Sequence, residues 1–344
     1  MAVPPPGLAE FEEVPACPLC SVRGRLRYTS MQDRMFNAPG TAEMLECPEC
    51  GLLWVSPRLT RSSVALAYGD YYTHQDSSAR FFGRARAATR SLVLEDAFAD
   101  RSRDRPLIRA LLGRALSGVP FVAERVEPLV REFRHLGPRK LLDVGSGDGV
   151  FLATMQGVGW EVCGVEPDPV AARRSREKRG VPVLDGALEQ VDAGAEAFDV
   201  VVSRHVVEHV HDPVAFVKAC FQAVRPDGCL IILTPNSRSL CHRIFRRGWL
   251  HLDPPRHLYV FSRRSLEKCA TAAGLRSVRI RSLARWARTT WQLSRLISRR
   301  GRVPPGRTPL RLLLEGACFA AVETVASGDR SDAGEELMLI AEKR

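Results

Sequence analysis

Four cysteines fall as two C-x2-C pairs, Cys17/Cys20 in "CPLC" and Cys47/Cys50 in "CPECG", with 26 residues between them. A short turn after the first cysteine of each pair frees backbone amides to support the sulfurs. Two such turns can close a tetrahedral all-thiolate site, which suits Zn²⁺. A closed site activates no water, so the predicted role is structural: the metal folds a segment with too little core of its own. A redox pair is the alternative, and the sequence around the pairs lacks the βαβ pattern it would need.

A second chemical signal is "LLDVGSGDGVF", residues 141–151, where an apolar run stops at Asp143 and glycines follow at 145, 147 and 149. A dinucleotide fingerprint needs G-x-G-x-x-G, with the third glycine one place later. A phosphate-cradling loop needs Gly-Lys-Ser/Thr, which is missing. The next apolar run ends in Glu166, 17 residues beyond Gly149. An acid at the tip of a second strand can accept both hydroxyls of a ribose. Together these residues describe a site for an adenosine that carries no pyrophosphate.

The elements that must position these groups read as follows. Residues 1–60 form a leader holding the cysteine pairs, proline-rich at its start and with little periodic structure. Residues 61–136 form a helical connector, as in "VAERVEPLVREFRHL", where Val122, Val126, Leu129, Val130 and Phe133 keep one apolar stripe. Gly137-Pro138 ends that helix. From 137 strands and helices alternate: "KLLDVG", "EVCGVEPD", "VPVLDGA", "FDVVVSRHV" and "CLIILTPN" are strands, separated in part by the helices "VFLATMQGVG", "PVAARRSREKRG" and "DPVAFVKACFQAVRPDG". Such alternation implies an α/β fold with right-handed crossovers and a parallel sheet covered on both faces. "GLRSVRIRSL" and "GEELMLIAEKR" are two late strands around a basic helical insertion, 282–333, and the last strand is expected to run antiparallel.

The ordered stretches "LLDVGSGDG", "VCGVEPD", "GALEQV", "FDVVVSRHVVEHVHDP", "LIILTPN" and "PRHLYVFSRRSLEKCATAAG" resemble the class I S-adenosylmethionine-dependent methyltransferases. The resemblance implies a Rossmann-like seven-stranded core, mostly parallel, over residues 137–344. It implies that Asp143, Gly145, Ser146, Gly147 and Gly149 lie against the methionine part of S-adenosylmethionine and that Glu166 takes the ribose. Leu188 would meet the adenine through its backbone, beside Ala187, where many relatives have Asp; Ser203 and Arg204 would face the methionyl end. The order of cysteine pairs, "CPECGLLWVSPR", "YGDYY" and core is similar to a bacterial subgroup with a zinc-binding leader. That subgroup often acts on sugars, cell-envelope glycans or secondary metabolites.

Methyl transfer to a hydroxyl needs an aligned nucleophile and a base for its proton. "SRHVVEHVHDP" supplies candidates just past the fourth strand, where a parallel sheet opens its binding crevice. His205 and His209 share one face of a helical turn, with Glu208 beside them. His209 is the first choice as base, and its alternative is a loop brace. His257, in "DPPRHLYVF", is a second catalytic or substrate-binding candidate, with Arg256 and Tyr259 as neighbours. In quinone O-methyltransferases with a similar "EHV" segment, acids and a histidine hold a divalent cation; His205 stands where those relatives carry an acid.

The bulk composition is that of a globular chain: 45% hydrophobic and 26% charged residues. No targeting or transmembrane segment is expected, so the predicted location is cytoplasmic, with a peripheral position at the inner face of the membrane as a variant. The net charge of +11 is uneven: no acid occurs from Lys268 to Leu314, while arginines recur throughout. Such a field favours an anionic partner. The expected reaction is O-methylation of a small-molecule, sugar or cell-envelope glycan acceptor, phosphorylated or lipid-linked. One alternative is an rRNA or tRNA methyltransferase using the zinc ribbon and the arginines to hold RNA; few aromatics punctuate the basic run, which weighs against it. The others are a non-catalytic interaction protein and a membrane-peripheral enzyme with "LARWARTTWQLSRLISRR" as its amphipathic helix.

Overall fold

The computed structural model describes residues 9–36, 38, 40–68, 89, 92–93, 96, 106–117, 139–304, 308–328 and 331–344. The expected connector helix at 122–133, and most of the connector, lie outside these. The N-terminal strands are β1 (Phe11–Glu12), β2 (Arg25–Met31), β3 (Ala42–Glu46), β4 (Leu53–Ser56) and β5 (Arg58–Leu59), and α1 (Leu107–Ser117) follows. The alternating stretch contains β6 (Lys140–Val144), α2 (Val150–Gly157), β7 (Glu161–Glu166), α3 (Pro169–Arg179), β8 (Val183–Asp185) and β9 (Phe198–Arg204). It continues with α4 (Pro213–Ala223), β10 (Val224–Pro235), α5 (Leu240–Phe245), β11 (Tyr259–Val260), α6 (Arg263–Ala272) and β12 (Val278–Leu283). Helices α7 (Ala287–Arg300) and α8 (Leu310–Ala326) precede the last strand, β13 (Glu336–Glu342).

Seven strands form one sheet in the order β12-β13-β10-β9-β6-β7-β8. The pairs β6–β7, β6–β9 and β7–β8 are parallel, and β13 runs antiparallel to β12. The fold is α/β with a mostly parallel sheet and an antiparallel last strand, as expected. Strand β10 starts earlier than the expected "CLIILTPN", because the Asp227 amide donates to Lys343 O (2.7 Å) and the Lys343 amide to Gly228 O (2.9 Å). That pairing draws "RPDG" into the strand, with Asp227 left-handed (φ 61°), where the sequence reads as the end of a helix.

Two compact units emerge. The first comprises Met1–Tyr72, Arg204–Lys218 and Ile232–Ala341; the second comprises Thr73–Ser203, Ala219–Ile231 and Glu342–Arg344. In the second, α3 shows how sequence sets local structure: Asp168 caps its first turn through Val170 N (2.9 Å), Pro169 follows, and Gly180 (φ 67°) closes it.

In the first unit the leader holds a four-stranded sheet, order β11-β4-β3-β2, and a small β1–β5 pair. The strands share a core with later elements: Met44, Leu53 and Val55 pack with Trp249, Ala287 and Phe319. The leader thus draws its apolar burial from residues some 200 positions away. Helix α7, whose apolar stripe resembled a membrane-surface face, is covered: Trp291 stacks on Phe319 (4.5 Å between ring centroids) and meets Phe245 edge-on (4.9 Å). Among the described residues no helix is long and apolar enough to cross a membrane.

Candidate functional site

In the second unit, β6 delivers Asp143, fully buried, to the start of the glycine loop. The amides of Gly145 and Ser146 donate to Val165 O (2.8 and 3.2 Å), which turns the chain back over β7. Gly147 and Gly149 both lie in the left-handed region (φ 57° and 72°), where glycine is the least strained residue. Their surroundings differ. A Cβ on Gly149 would lie 2.9 Å from Ser175, so this glycine lets α2 approach α3; a Cβ on Gly147 would meet nothing within 4 Å. The space above Gly147 is therefore open, a cradle that a side chain would fill.

Glu166, at the end of β7, accepts the Gly147 amide at Oε2 (2.7 Å) and the Asp168 amide at Oε1 (2.9 Å). Each oxygen keeps a further lone-pair direction for a ribose hydroxyl. Burial raises the Glu166 pKa against the pull of those two amides. Ser146 Oγ and Ser203 Oγ are buried and have no hydrogen-bond partner among the described residues. Leu188 is buried beside Ala187, whose carbonyl accepts the Gln190 amide (2.9 Å), and Arg204 ends β9. An open cradle, a carboxylate at the strand tip and two unsatisfied hydroxyls fit a nucleoside with an amino-acid tail.

In the first unit the histidine candidates fall into two electrostatic states. His205 (φ 57°) lies between two buried carboxylates, its Nε2 2.6 Å from Glu336 and its Nδ1 3.3 Å from Glu208. Burial alone would lower its pKa, but the two acids outweigh burial and raise it to about 9. His205 is thus an imidazolium, which makes it an anchor and a poor proton acceptor. Glu208 is held by the same pair and by a hydrogen bond from Thr234 (3.0 Å); burial would raise its pKa, yet His205 brings it to about 2.

His209 is the opposite case. Burial, with the neighbouring His257 next in weight, lowers the His209 pKa to about 4, so its ring is neutral. Its Nδ1 lies 3.0 Å from Arg256 O and 3.1 Å from Tyr68 Oη. His257 Nδ1 lies 2.7 Å from His251 O. A ring that donates its Nδ1 proton to a carbonyl presents a bare lone pair at Nε2. The two rings meet edge-on, 4.7 Å between centroids. Donor atoms of Glu208, His209 and His257 all lie within 4.8 Å of one another, so these three side chains could also hold a divalent cation.

The loop carrying His257 is fastened by Arg256, which the sequence suggested only as a neighbour. Its fully buried guanidinium makes two 2.7 Å bonds to the two oxygens of Asp33 and further bonds to Asp253 at 2.9 and 2.6 Å. Tyr259 lies elsewhere: its hydroxyl donates to His211 O (3.0 Å), and its amide donates to Glu208 O (3.1 Å). Sequence reasoning missed Asp33, Tyr68 and Glu336. The one local clue was at Asp33, whose carboxylate accepts the amides of Met35, Phe36 and Ala38, an acidic turn that a reader of "QDRMFNAPG" could have marked.

The four leader cysteines converge, with sulfurs within 4.8 Å of one another and Cys17 and Cys50 3.7 Å apart. A disulfide is excluded at that distance. The edge of a tetrahedron with Zn–S bonds of ~2.3 Å is ~3.8 Å. Ser21 and Gly51 are left-handed (φ 57° and 71°) and send their amides back to Cys17 O and Cys47 O, so both pairs form tight turns. Lys268 Nζ sits 3.0 Å from Cys20 Sγ and would offset part of the charge of four thiolates. The cluster fits a zinc ribbon.

Comparison with known proteins identifies the region around the glycine loop. A family described as "Methyltransferase domain" matches residues 119–280. The "Ubiquinone biosynthesis O-methyltransferase, mitochondrial" of Bos taurus is 34% identical over 138 residues, 37% of this chain and 37% of that protein. The "Ubiquinone biosynthesis O-methyltransferase" of Methylobacterium sp. (strain 4-46) is 39% identical over 111 residues, 29% of this chain and 45% of that protein. The chain thus spans less than half the length of these relatives. A solved SAM dependent methyltransferase from Archaeoglobus fulgidus is 19% identical, covering 68% of this chain and 98% of that one with a TM-score of 0.42. The matched domain begins beyond the four cysteines.

Proposed function

We propose that the chain is an S-adenosylmethionine-dependent O-methyltransferase acting on a small-molecule acceptor. The observation that carries this reading is the open space above Gly147 beside the Glu166 carboxylate, within a methyltransferase domain. S-adenosylmethionine, when bound, supplies a sulfonium-activated methyl group. Glu166 would grip the ribose hydroxyls, the glycine loop with Ser146 would lie along the methionyl part, and the backbone at Leu188 would meet the adenine. Ser203 and Arg204 would face the amino-acid end. His209 or His257 would take the proton of the acceptor hydroxyl at Nε2. His205, as imidazolium, holds Glu208 ionised. As an alternative to a histidine base, a divalent cation held by Glu208, His209 and His257 would lower the pKa of an acceptor hydroxyl and occupy those lone pairs.

The cysteine cluster would bind Zn²⁺ as a structural ion. The sugar or glycan identity of the acceptor follows from the leader's resemblance alone. Calorimetry on zinc-replete protein should show binding of S-adenosylmethionine and of its demethylated product, and neither binding would end the proposal. With a candidate metabolite pool, a mass gain of about 14 Da, one methyl in place of one hydrogen, identifies the acceptor. His209→Ala or His257→Ala should lower turnover while donor affinity stays near wild type; unchanged turnover in both removes the histidine base.

A further inference from the structure

Within the first unit lies a cavity of about 500 Å³ that methyl transfer does not use. Strand β2 supplies Arg27, the turn after β10 supplies Arg238, and α5 and the residue after it supply Arg243 and Arg246. Four guanidinium groups therefore face one space. Among the described residues the only acid in the wall is Glu46, the last residue of β3. It is already engaged, its Oε1 3.0 Å from Arg238 and its Oε2 3.6 Å from Arg27. Arg243 and Arg246 have no acidic partner among the described residues, and both are exposed.

The rest of the wall is built. His242 is buried, its Nδ1 2.6 Å from Ser237 O and its Nε2 3.0 Å from Tyr28 Oη. Burial lowers the His242 pKa to about 4, so the ring is neutral, donates to Ser237 O and accepts from Tyr28. Its face stacks on Trp249, 4.6 Å between centroids, which fixes the ring and the helix that carries Arg243. Ser237 lines the same space, and its buried Oγ has no partner among the described residues. Leu53 gives the cavity one apolar surface.

We propose that this cavity binds the phosphoryl group of a small soluble molecule. Guanidinium groups present paired N–H donors in a planar fork that matches phosphate oxygens. Four of them against one carboxylate leave a positive excess that an anion with two negative charges would offset. The volume lies within the range of small-molecule sites, so the ligand is larger than the anion, with its uncharged part against Leu53 and Tyr28. The inference goes beyond the methyl-transfer reading and stands apart from it.

The test is calorimetry with the full-length, zinc-replete protein and no methyl donor. Pyrophosphate is titrated at constant ionic strength, with chloride as the matched control. Wild type should bind saturably. Arg243→Gln with Arg246→Gln should weaken binding at least tenfold, with unchanged melting because both side chains are exposed. Glu46→Gln should tighten binding, since it removes the competing carboxylate and releases Arg27 and Arg238. Absence of saturable binding by wild type, or wild-type affinity in the double arginine variant, would overturn the site. Sedimentation with phosphatidic acid vesicles but no heat with pyrophosphate would overturn it too, assigning the arginines to a lipid surface. Because no donor is present, failure here leaves the methyltransferase reading untouched, and failure to bind the donor leaves this one untouched.

Discussion

Arg256→Met tests whether the buried Asp33–Arg256–Asp253 cluster holds the loop that carries His257. The Arg256 and Asp33 side chains are 0% exposed and that of Asp253 14%, so little water is available to take over if the guanidinium is removed. Burial alone would raise the Asp33 pKa, but Arg256 and three backbone amides bring it from 3.8 to about 2. At 1.36 kcal/mol per unit that is roughly 2.4 kcal/mol of preference for the charged form. The amides keep part of it in the variant; against that, Asp253 also loses its partner. Breaking a buried pair on one side commonly costs about 3–5 kcal/mol, and we expect ~3 kcal/mol here. Urea denaturation followed by tryptophan fluorescence reports it, since Trp54, Trp249, Trp286 and Trp291 all lie in the first unit. The sign with pH is set by the depressed carboxyl. Its contribution is complete above pH ~4 and is lost as pH falls through 2, so the gap between wild type and variant should narrow in acid. The Arg256 carbonyl also fixes His209 Nδ1, so turnover should fall by more than the folded fraction explains. A loss below ~1 kcal/mol at pH 7, with normal turnover, would refute this account.

Glu336→Gln removes one of the two acids on His205, whose pKa is raised from 6.5 to about 9. Stability from that pair is complete below pH 6.5 and is lost as pH rises through 9, so the variant should lose ~1–2 kcal/mol at pH 6 and nothing near pH 10. Equal losses at both pH values in denaturant melts would count against the imidazolium. Metal analysis should find one zinc per chain, and Cys20→Ser should lower both zinc content and melting temperature. Identical melting of zinc-replete and zinc-free protein would show that the cluster does not support the fold. Gly147→Ala should weaken donor binding several-fold through φ strain and the filled cradle; unaltered affinity by calorimetry would place the cofactor elsewhere.

What could be read from the sequence, and what could not, follows from the range of the interactions. The glycine loop, Glu166 and the cysteine turns are each written in short segments whose spacing sets the geometry. The alternating strands and helices are legible for the same reason. The leader's sheet was not, because two of its strands do not alternate: β4 is buried on both faces and β2 is exposed along most of its length. Such strands acquire a core only by packing against Trp249 and Phe319, which no local pattern announces. The histidines pose the sharper case. His205 and His209 share a segment and a residue type, yet one is an imidazolium and the other a neutral ring. The difference comes from Glu336, 131 positions from His205, which joins Glu208 in raising the pKa of that ring, and from burial and His257, which lower that of His209. Residue type therefore nominates a base, but partners distant in the chain decide which histidine can accept a proton. By that criterion His209 and His257 remain candidates, and His205 serves them by keeping Glu208 charged.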